Sequence, residues 1–176
     1  MHRMKRIKLH DRSFRLMIEA DVIDREIERV GAQINRELAS ERPLFLGVLN
    51  GAFMFVADLL KHITIDGAEI SFVKIASYAG LSSTGKVQDL IGLREDIAGR
   101  TVVILEDMID SGESIMHMKK ILEEKHPKQV KVAALFYKPK ALKYDLTIDY
   151  KCIALENDFV VGHGLDYDGL GRNYPD

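Results

Sequence analysis

Two adjacent carboxylates, Glu106 and Asp107, follow directly on four apolar residues, Val102, Val103, Ile104 and Leu105. Acids side by side where a buried strand ends are costly to ionise together unless a cation or a hydroxyl-bearing ligand compensates them. Three residues beyond Asp107, Asp110 opens a short polar turn, Ser111-Gly112-Glu113-Ser114, that leads into a helical pattern. Small residues let the backbone approach an anion, hydroxyls add donors, and unpaired N–H groups at a helix start favour negative charge. Each part alone has an ordinary explanation, a solvated acidic turn or a serine helix cap. Together they describe a site for a ligand that carries a phosphate, hydroxyls and a divalent cation: a sugar phosphate with magnesium.

The elements around this run predict how it is held. Ile23, Ile27, Val30, Ile34 and Leu38 recur at three- and four-residue steps and draw one apolar stripe on a helix. Pro43 ends it, residues 44–49 read as a short buried strand, and 52–63 as a helix after Gly51. Residues 70–76 are strand-like, 77–86 form a glycine-punctuated polar loop, and 87–93 read as a strand returning from it. A strand over 101–105, a helix over 114–125 and a strand over 130–136 follow, then two apolar runs, 152–155 and 159–161, and a glycine-rich tail. Strands alternating with helices predict an α/β fold: a mostly parallel, twisted sheet with helices on both faces. The edge at the carboxyl ends of such strands is where ligands bind.

Composition narrows the class. With 176 residues and 47% hydrophobic content the chain supports one well-buried core, and a single domain over 1–176 is expected. A formal charge of -2 provides no global basic field for nucleic acid. The lone Cys152 excludes an intrachain disulfide, sits among apolar residues as a structural thiol, and fits a reducing, cytoplasmic setting. Residues 52–60 are too short, and interrupted by Asp58, to cross a bilayer. The basic start, residues 1–6, lacks the apolar segment of a signal peptide and reads as a solvated arm.

Residues 102–114 resemble the signature by which type I phosphoribosyltransferases hold phosphoribosyl pyrophosphate. In that family the acid pair grips the ribose hydroxyls and the loop binds the 5-phosphate. Leu49-Asn50-Gly51 resembles the pyrophosphate-binding turn of hypoxanthine (hypoxanthine-guanine) phosphoribosyltransferases, Ser77-Tyr78 with Ser83-Thr84-Gly85 their mobile loop, and Lys138, Phe159 to Tyr167 and Arg172 their purine-binding segment and tail. The similarity runs in order from about Ile18 to Arg172.

The resemblance implies the type I phosphoribosyltransferase fold, with a small hood from the N- and C-terminal segments and a mobile flap at about 77–90. It implies binding of phosphoribosyl pyrophosphate by Asn50, Gly51, Ser77, Tyr78, Glu106, Asp107, Asp110, Ser111, Gly112, Glu113, Ser114 and Arg172. Lys138 would donate to the purine 6-oxo group, Phe159 stack on the base, Val160 read its edge through the backbone, and Asp166 sit near a second magnesium ion. Magnesium (Mg2+) would lie at Glu106, Asp107 and Asp166. Asp110 would take the proton from N7 as N9 attacks the sugar. The expected products are nucleotides of hypoxanthine and guanine with pyrophosphate, from an enzyme that forms homodimers or homotetramers and uses neither nucleic acid nor membrane.

Three departures stand out against the family pattern. Asn50 replaces a basic residue common in relatives, Leu49–Asn50 would be a cis bond without proline, and Glu113 puts a negative charge in the phosphate loop. Other readings are weaker. A transferase acting on uracil is disfavoured by Lys138 and the 159–166 segment. A nucleic-acid-binding regulator on the same fold would need a basic face. A different nucleotide-binding α/β protein would need a Gly-x-x-x-x-Gly-Lys-Ser/Thr loop or a Gly-x-Gly-x-x-Gly after the first strand, and neither is present.

Overall fold

Ile23, Ile27, Val30 and Ile34 line the buried side of a helix, α1 (Ala20–Glu37), each at most 1% exposed. The period of the sequence pattern is thus the period of the burial. A computed structural model describes residues 6–78 and 87–176. Its other elements, in chain order, are β1 (Arg6–Leu9), β2 (Arg12–Arg15), β3 (Leu44–Val48), α2 (Phe53–Leu60), β4 (Glu69–Tyr78), β5 (Val87–Ile91), β6 (Thr101–Ile109), α3 (Glu113–Glu123), β7 (Gln129–Tyr137) and β8 (Tyr150–Ala154).

Six strands form one sheet in the order β5-β4-β3-β6-β7-β8. All neighbours are parallel except the β4–β5 arm, which is antiparallel. The middle strands are buried on both sides, so they read as continuous apolar runs rather than alternating ones. Along β6, Val103 and Leu105 pack with α1 and α2, whereas Val102 and Ile104 pack with α3. Helices therefore cover both faces, as the βα alternation predicts.

The order of strands positions the site. From β3 the chain moves to β4 on one side, and from β6 it moves to β7 on the other. The direction reverses between two adjacent parallel strands, so their following loops diverge and leave a crevice at the carboxyl edge. The turn at residues 49–51 follows β3, and the polar turn at 110–114 follows β6.

The structure departs from the sequence reading at a strand end and at an added hairpin, and it resolves the apolar run at 159–161, whose form the pattern left open. The strand expected to stop at Leu105 continues to Ile109, because β7 keeps pairing with it through Met108↔Phe136 and Ile109↔Tyr137. Glu106 and Asp107 are thus strand residues and not turn residues. The apolar run 159–161 is not a strand; in this segment only single bridges form, Gly162↔Leu165 and Tyr167↔Leu170, and glycines at positive φ (162, 164, 169, 171) break up any ladder. Finally, β1 and β2 form a separate antiparallel hairpin in a region the pattern left without strands. Four-residue strands are too short to show a period.

Candidate active site

Asp107 reaches across the crevice from β6 to the turn after β3. Its carboxylate lies so close over Gly51 that a β-carbon at that residue would overlap Oδ2 and lie 2.9 Å from Oδ1. On another side of the same turn, a β-carbon on Gly164 would overlap the carbonyl oxygen of Gly51. Residues from three distant parts of the chain meet here with no room for side chains. The Leu49–Asn50 bond is cis, in keeping with the resemblance, and Asn50 is exposed. The turn runs into α2 through Ala52 N–H donating to Val48 O and Phe53 N–H to Asn50 O.

Glu106, beside Asp107, is 8% exposed. Burial, then the hydrogen bond and the charge of Asp107, raise its carboxyl well above the ordinary glutamate range, against a smaller opposing pull from the Asp107 amide. Keeping both acids charged at once is therefore costly in the ligand-free site. A divalent cation or a set of ligand hydroxyls is the partner such a pair lacks.

The next turn is an open anion cradle. Gly112 takes a left-handed conformation (φ 82°) and begins α3 without a side-chain cap. It is buried against Leu142 and Leu146. Ser111 Oγ accepts from the Glu113 amide, and Ser111 O accepts from Lys143 N–H. Apart from the Glu113 amide, no side-chain cap is made at the start of α3, and N–H groups left unpaired at a helix start favour a phosphate. Glu113 and Ser114 are both exposed. A solvated Glu113 carboxylate does not fill the cradle.

Asp110 and Lys138 sit across from each other at the ends of β6 and β7. Lys138 Nζ donates to Asp110 Oδ2 at 2.9 Å, with the lysine side chain 12% exposed and the aspartate 57%. The backbone fixes the pairing, since the Lys138 amide donates to Ile109 O. A donor and an acceptor so close together match two neighbouring atoms on one edge of a flat ring.

The family described as "Phosphoribosyl transferase domain" matches residues 19–168. The hypoxanthine-guanine phosphoribosyltransferase of Streptococcus pneumoniae is 34% identical over 162 residues, covering 92% of this chain and 89% of that protein. That of Streptococcus agalactiae is 39% identical over 161 residues, covering 91% and 88%. The chain belongs to the hypoxanthine-guanine phosphoribosyltransferase family. Solved structures agree: a hypoxanthine-guanine phosphoribosyltransferase from Bacillus anthracis superposes with a TM-score of 0.80 at 31% identity, over 90% of this chain and 92% of that one. A hypoxanthine phosphoribosyltransferase from Trypanosoma cruzi gives a TM-score of 0.83 at 25% identity, over 97% and 92%.

Within this phosphoribosyltransferase fold, the remaining residues singled out from the sequence fall in two groups. Phe159, 54% exposed, and Val160 lie on the irregular segment after β8. Asp166 and Arg172 form an ion pair at 2.8 Å; Asp166 also accepts from the Gly169 amide, and Arg172 Nη1 donates to Gly164 O at 2.6 Å. Asp166 is therefore engaged with the tail. Among the described residues, no three acidic, histidine or cysteine side chains gather into a metal cage. Glu106, Asp107 and Asp166 are thus not drawn together by the protein alone. The loop expected from residue 77 starts later, because Ser77 and Tyr78 still belong to β4, and its remaining residues, 79–86, lie outside the described residues.

Sequence reasoning missed the clasp behind Phe159. Arg12 and Phe14 of the N-terminal hairpin contact it, with the Arg12 guanidinium 5.7 Å from the Phe159 ring and 5.1 Å from that of Tyr167. Phe14 and Phe159 are 6.3 Å apart, Phe159 and Tyr167 5.7 Å in a T-shaped pair. Tyr167 Oη donates to Asp11 at 2.6 Å, and His10 meets the carbonyl of Asp168. Gly164 was also missed as a contact residue. Its neighbours in the glycine-rich tail gave the only signal, and that signal names a tight turn without its partner.

Proposed function

We propose that this protein is a purine salvage enzyme that moves the 5-phosphoribosyl group from phosphoribosyl pyrophosphate to N9 of hypoxanthine and guanine, releasing pyrophosphate. The observation that carries this reading is the Lys138–Asp110 pair. A 6-oxopurine offers an acceptor, O6, next to N7, which carries a proton when N9 is the attacking atom; adenine instead puts an amino donor where O6 would be. Lys138 donates to O6, and Asp110 accepts the N7 proton as N9 bonds to the sugar. General-base help of this kind contributes about 10²–10⁴-fold.

The other residues divide the substrate between them. The cradle of Asp110, Ser111, Gly112, Glu113 and Ser114 takes the 5-phosphate, chiefly through its backbone amides. Glu106 and Asp107 hold the ribose hydroxyls. Asn50 and Gly51, together with Arg172, face the pyrophosphate, and the always-charged guanidinium suits that leaving group. Phe159 stacks on the base while the backbone of Val160 reads its edge. Ser77 and Tyr78, at the end of β4, complete the set that would bind phosphoribosyl pyrophosphate.

Magnesium fits the donors present. The Glu106–Asp107 pair is short of positive charge, and this ion commonly takes one or two carboxylates beside substrate phosphates, with waters completing its shell. Asp166 would join a second ion on releasing Arg172. Held there, magnesium would supply positive charge against the departing pyrophosphate.

The hood hairpin and the sheet then serve as one catalytic unit. A homodimer or homotetramer is part of the proposal: Leu49, Phe53, Ile70 and Phe72 are large apolar side chains left 37–42% exposed near the start of α2 and on β4. A cytoplasmic site of action accords with the unpaired Cys152, and no described helix is long and apolar enough to cross a membrane.

The test is nucleotide formation from phosphoribosyl pyrophosphate with hypoxanthine, guanine, xanthine, adenine and uracil in parallel, with and without magnesium. Magnesium-dependent product from hypoxanthine and guanine, and none from adenine or uracil, is expected. Product from adenine at a comparable rate would overturn the roles of Lys138 and Asp110. Binding of phosphoribosyl pyrophosphate without product from any base would overturn the enzyme reading itself.

A further inference from the structure

His163 is a buried polar side chain that joins both halves of the site without belonging to either. Its side chain is 3% exposed, with Nε2 3.4 Å from Asp58 Oδ2. Its Nδ1 lies 3.2 Å from the carbonyl oxygen of Pro175, which can only accept, so Nδ1 carries the hydrogen of that bond. Besides the contact with Asp58, Nε2 has no hydrogen-bond partner among the described residues. The main chain is held as well: the His163 amide donates to Tyr174 O at 2.6 Å. Asp58 stands on α2, the helix that leaves the Gly51 turn, and Lys61 holds its Oδ1 at 2.6 Å. The imidazole is therefore a strut with the C-terminal tail at one end and α2 at the other.

The next residue shows what the strut sets. Gly164 abuts the carbonyl of Gly51, its amide donates to Arg172 O, and its carbonyl accepts from Arg172 Nη1. Two residues further is Asp166. We propose that His163 is a positioning residue for the transfer: by bracing the tail against α2 it fixes the segment at 159–166 against the Gly51 turn, and so fixes the base against the sugar pyrophosphate. The inference rests on reading those two segments as the purine and pyrophosphate sites. A planar ring with nitrogens on two sides can donate from Nδ1 to Pro175 O and, when Nε2 is protonated as well, face Asp58 Oδ2 at the same time. An amide side chain of similar length can meet only one.

A residue that merely stabilised the fold would lower the active fraction and leave both KM values alone. A strut shared by the two substrate sites predicts that both rise together. The experiment compares the parent with His163→Ala, His163→Gln and Asp58→Asn in steady-state assays varying each substrate, with circular dichroism melts to establish folding. In folded His163→Ala, both KM values are expected to rise together and kcat/KM to fall by roughly 10- to 100-fold, the size of effect that a displacement near 1 Å produces. His163→Gln, which can direct its amide nitrogen at Asp58, should recover part of the loss, and Asp58→Asn should show a weaker form of it. Should His163→Ala not fold, the other two variants carry the test by the same criterion. Parental KM values in the folded variants, or a rise confined to one substrate, would overturn the proposal. Lys138→Ala is run alongside: if its purine KM is unchanged the site assignment itself fails, whereas a selective rise there with parental His163 variants sinks only the strut.

Discussion

Replacing Gly164 by alanine tests the most crowded contact of the site. A β-carbon there would overlap the carbonyl oxygen of Gly51 and stand 3.2 Å from its carbonyl carbon, at a φ of 99°. Since C···O contacts ordinarily lie no closer than about 3.3 Å, the two backbones must part by roughly 1 Å. The unfavourable φ adds about 1–3 kcal/mol. In a chain of 176 residues each kcal/mol moves Tm by about 2–4 °C, so the φ strain alone should lower Tm by about 2–12 °C, with the clash lowering it further. Parting the purine segment from the Gly51 turn by that distance should lower kcat/KM by roughly 10²-fold. Gly99→Ala is the control, because it has a positive φ of 70° and nothing within 4 Å of the added carbon. It should lose stability and keep activity. Melting curves and IMP formation rates on the two variants separate the effects. A folded Gly164→Ala enzyme with the parental kcat/KM would refute the claim that this contact aligns the substrates.

Four further outcomes are expected. Asp110→Asn should lower kcat by about 10²–10⁴-fold, far more than it weakens binding of phosphoribosyl pyrophosphate; equal turnover in variant and parent would remove Asp110 from the chemistry. Glu113→Lys should leave the KM for phosphoribosyl pyrophosphate unchanged or lower it, because Glu113 is exposed beside the cradle, and should cost about 0.3–1 kcal/mol of helix stability seen in a melt; a severe loss of activity would contradict this. Glu106 has a native pKa raised by burial and by Asp107, so its stabilising contribution is full below the ordinary glutamate value of 4.5 and is lost as pH rises through the raised native value. Melts of the ligand-free protein over a pH series should therefore fall on the alkaline side, and Glu106→Gln should flatten that fall; an unchanged slope would show that other groups set it. Burial pushes the Cys152 thiol up to about 12, so iodoacetamide at pH 8 should label it only after denaturation, with rapid labelling of the native protein, read by mass spectrometry, as the contrary result.

Much of the fold was legible because its two periods are strong. The α1 stripe, the paired runs of β3 and β6, and the abrupt change from Leu105 to Glu106 each reflect burial that the sequence must encode. The candidate site was legible where one local run carries it, as in 106–114. It was not legible where residues meet from afar. Nothing in Arg12 or Phe14 points to Phe159, nothing in Asp58 points to His163, and the Gly51–Gly164 contact joins positions whose neighbours share no pattern. Strand length also escaped the apolar pattern, since β6 continues past its last aliphatic residue on the strength of backbone pairing with β7.

The pairing of Lys138 with Asp110 bears on fidelity. Asp110 is half-exposed and can return to water when a wrong base arrives, whereas the Lys138 side chain is 12% exposed and cannot readily do so. Adenine would set its amino group against that ammonium, so the nearly buried charge gains no acceptor from the base and relies on Asp110. A site built to hydrogen-bond one substrate group rejects an analogue lacking it by roughly 10⁴-fold or more, a margin that needs no proofreading step. Accuracy of base choice would then reside in the solvent access of a single lysine. Substitutions that open the end of β7 to water should make errors commoner even where they touch no substrate.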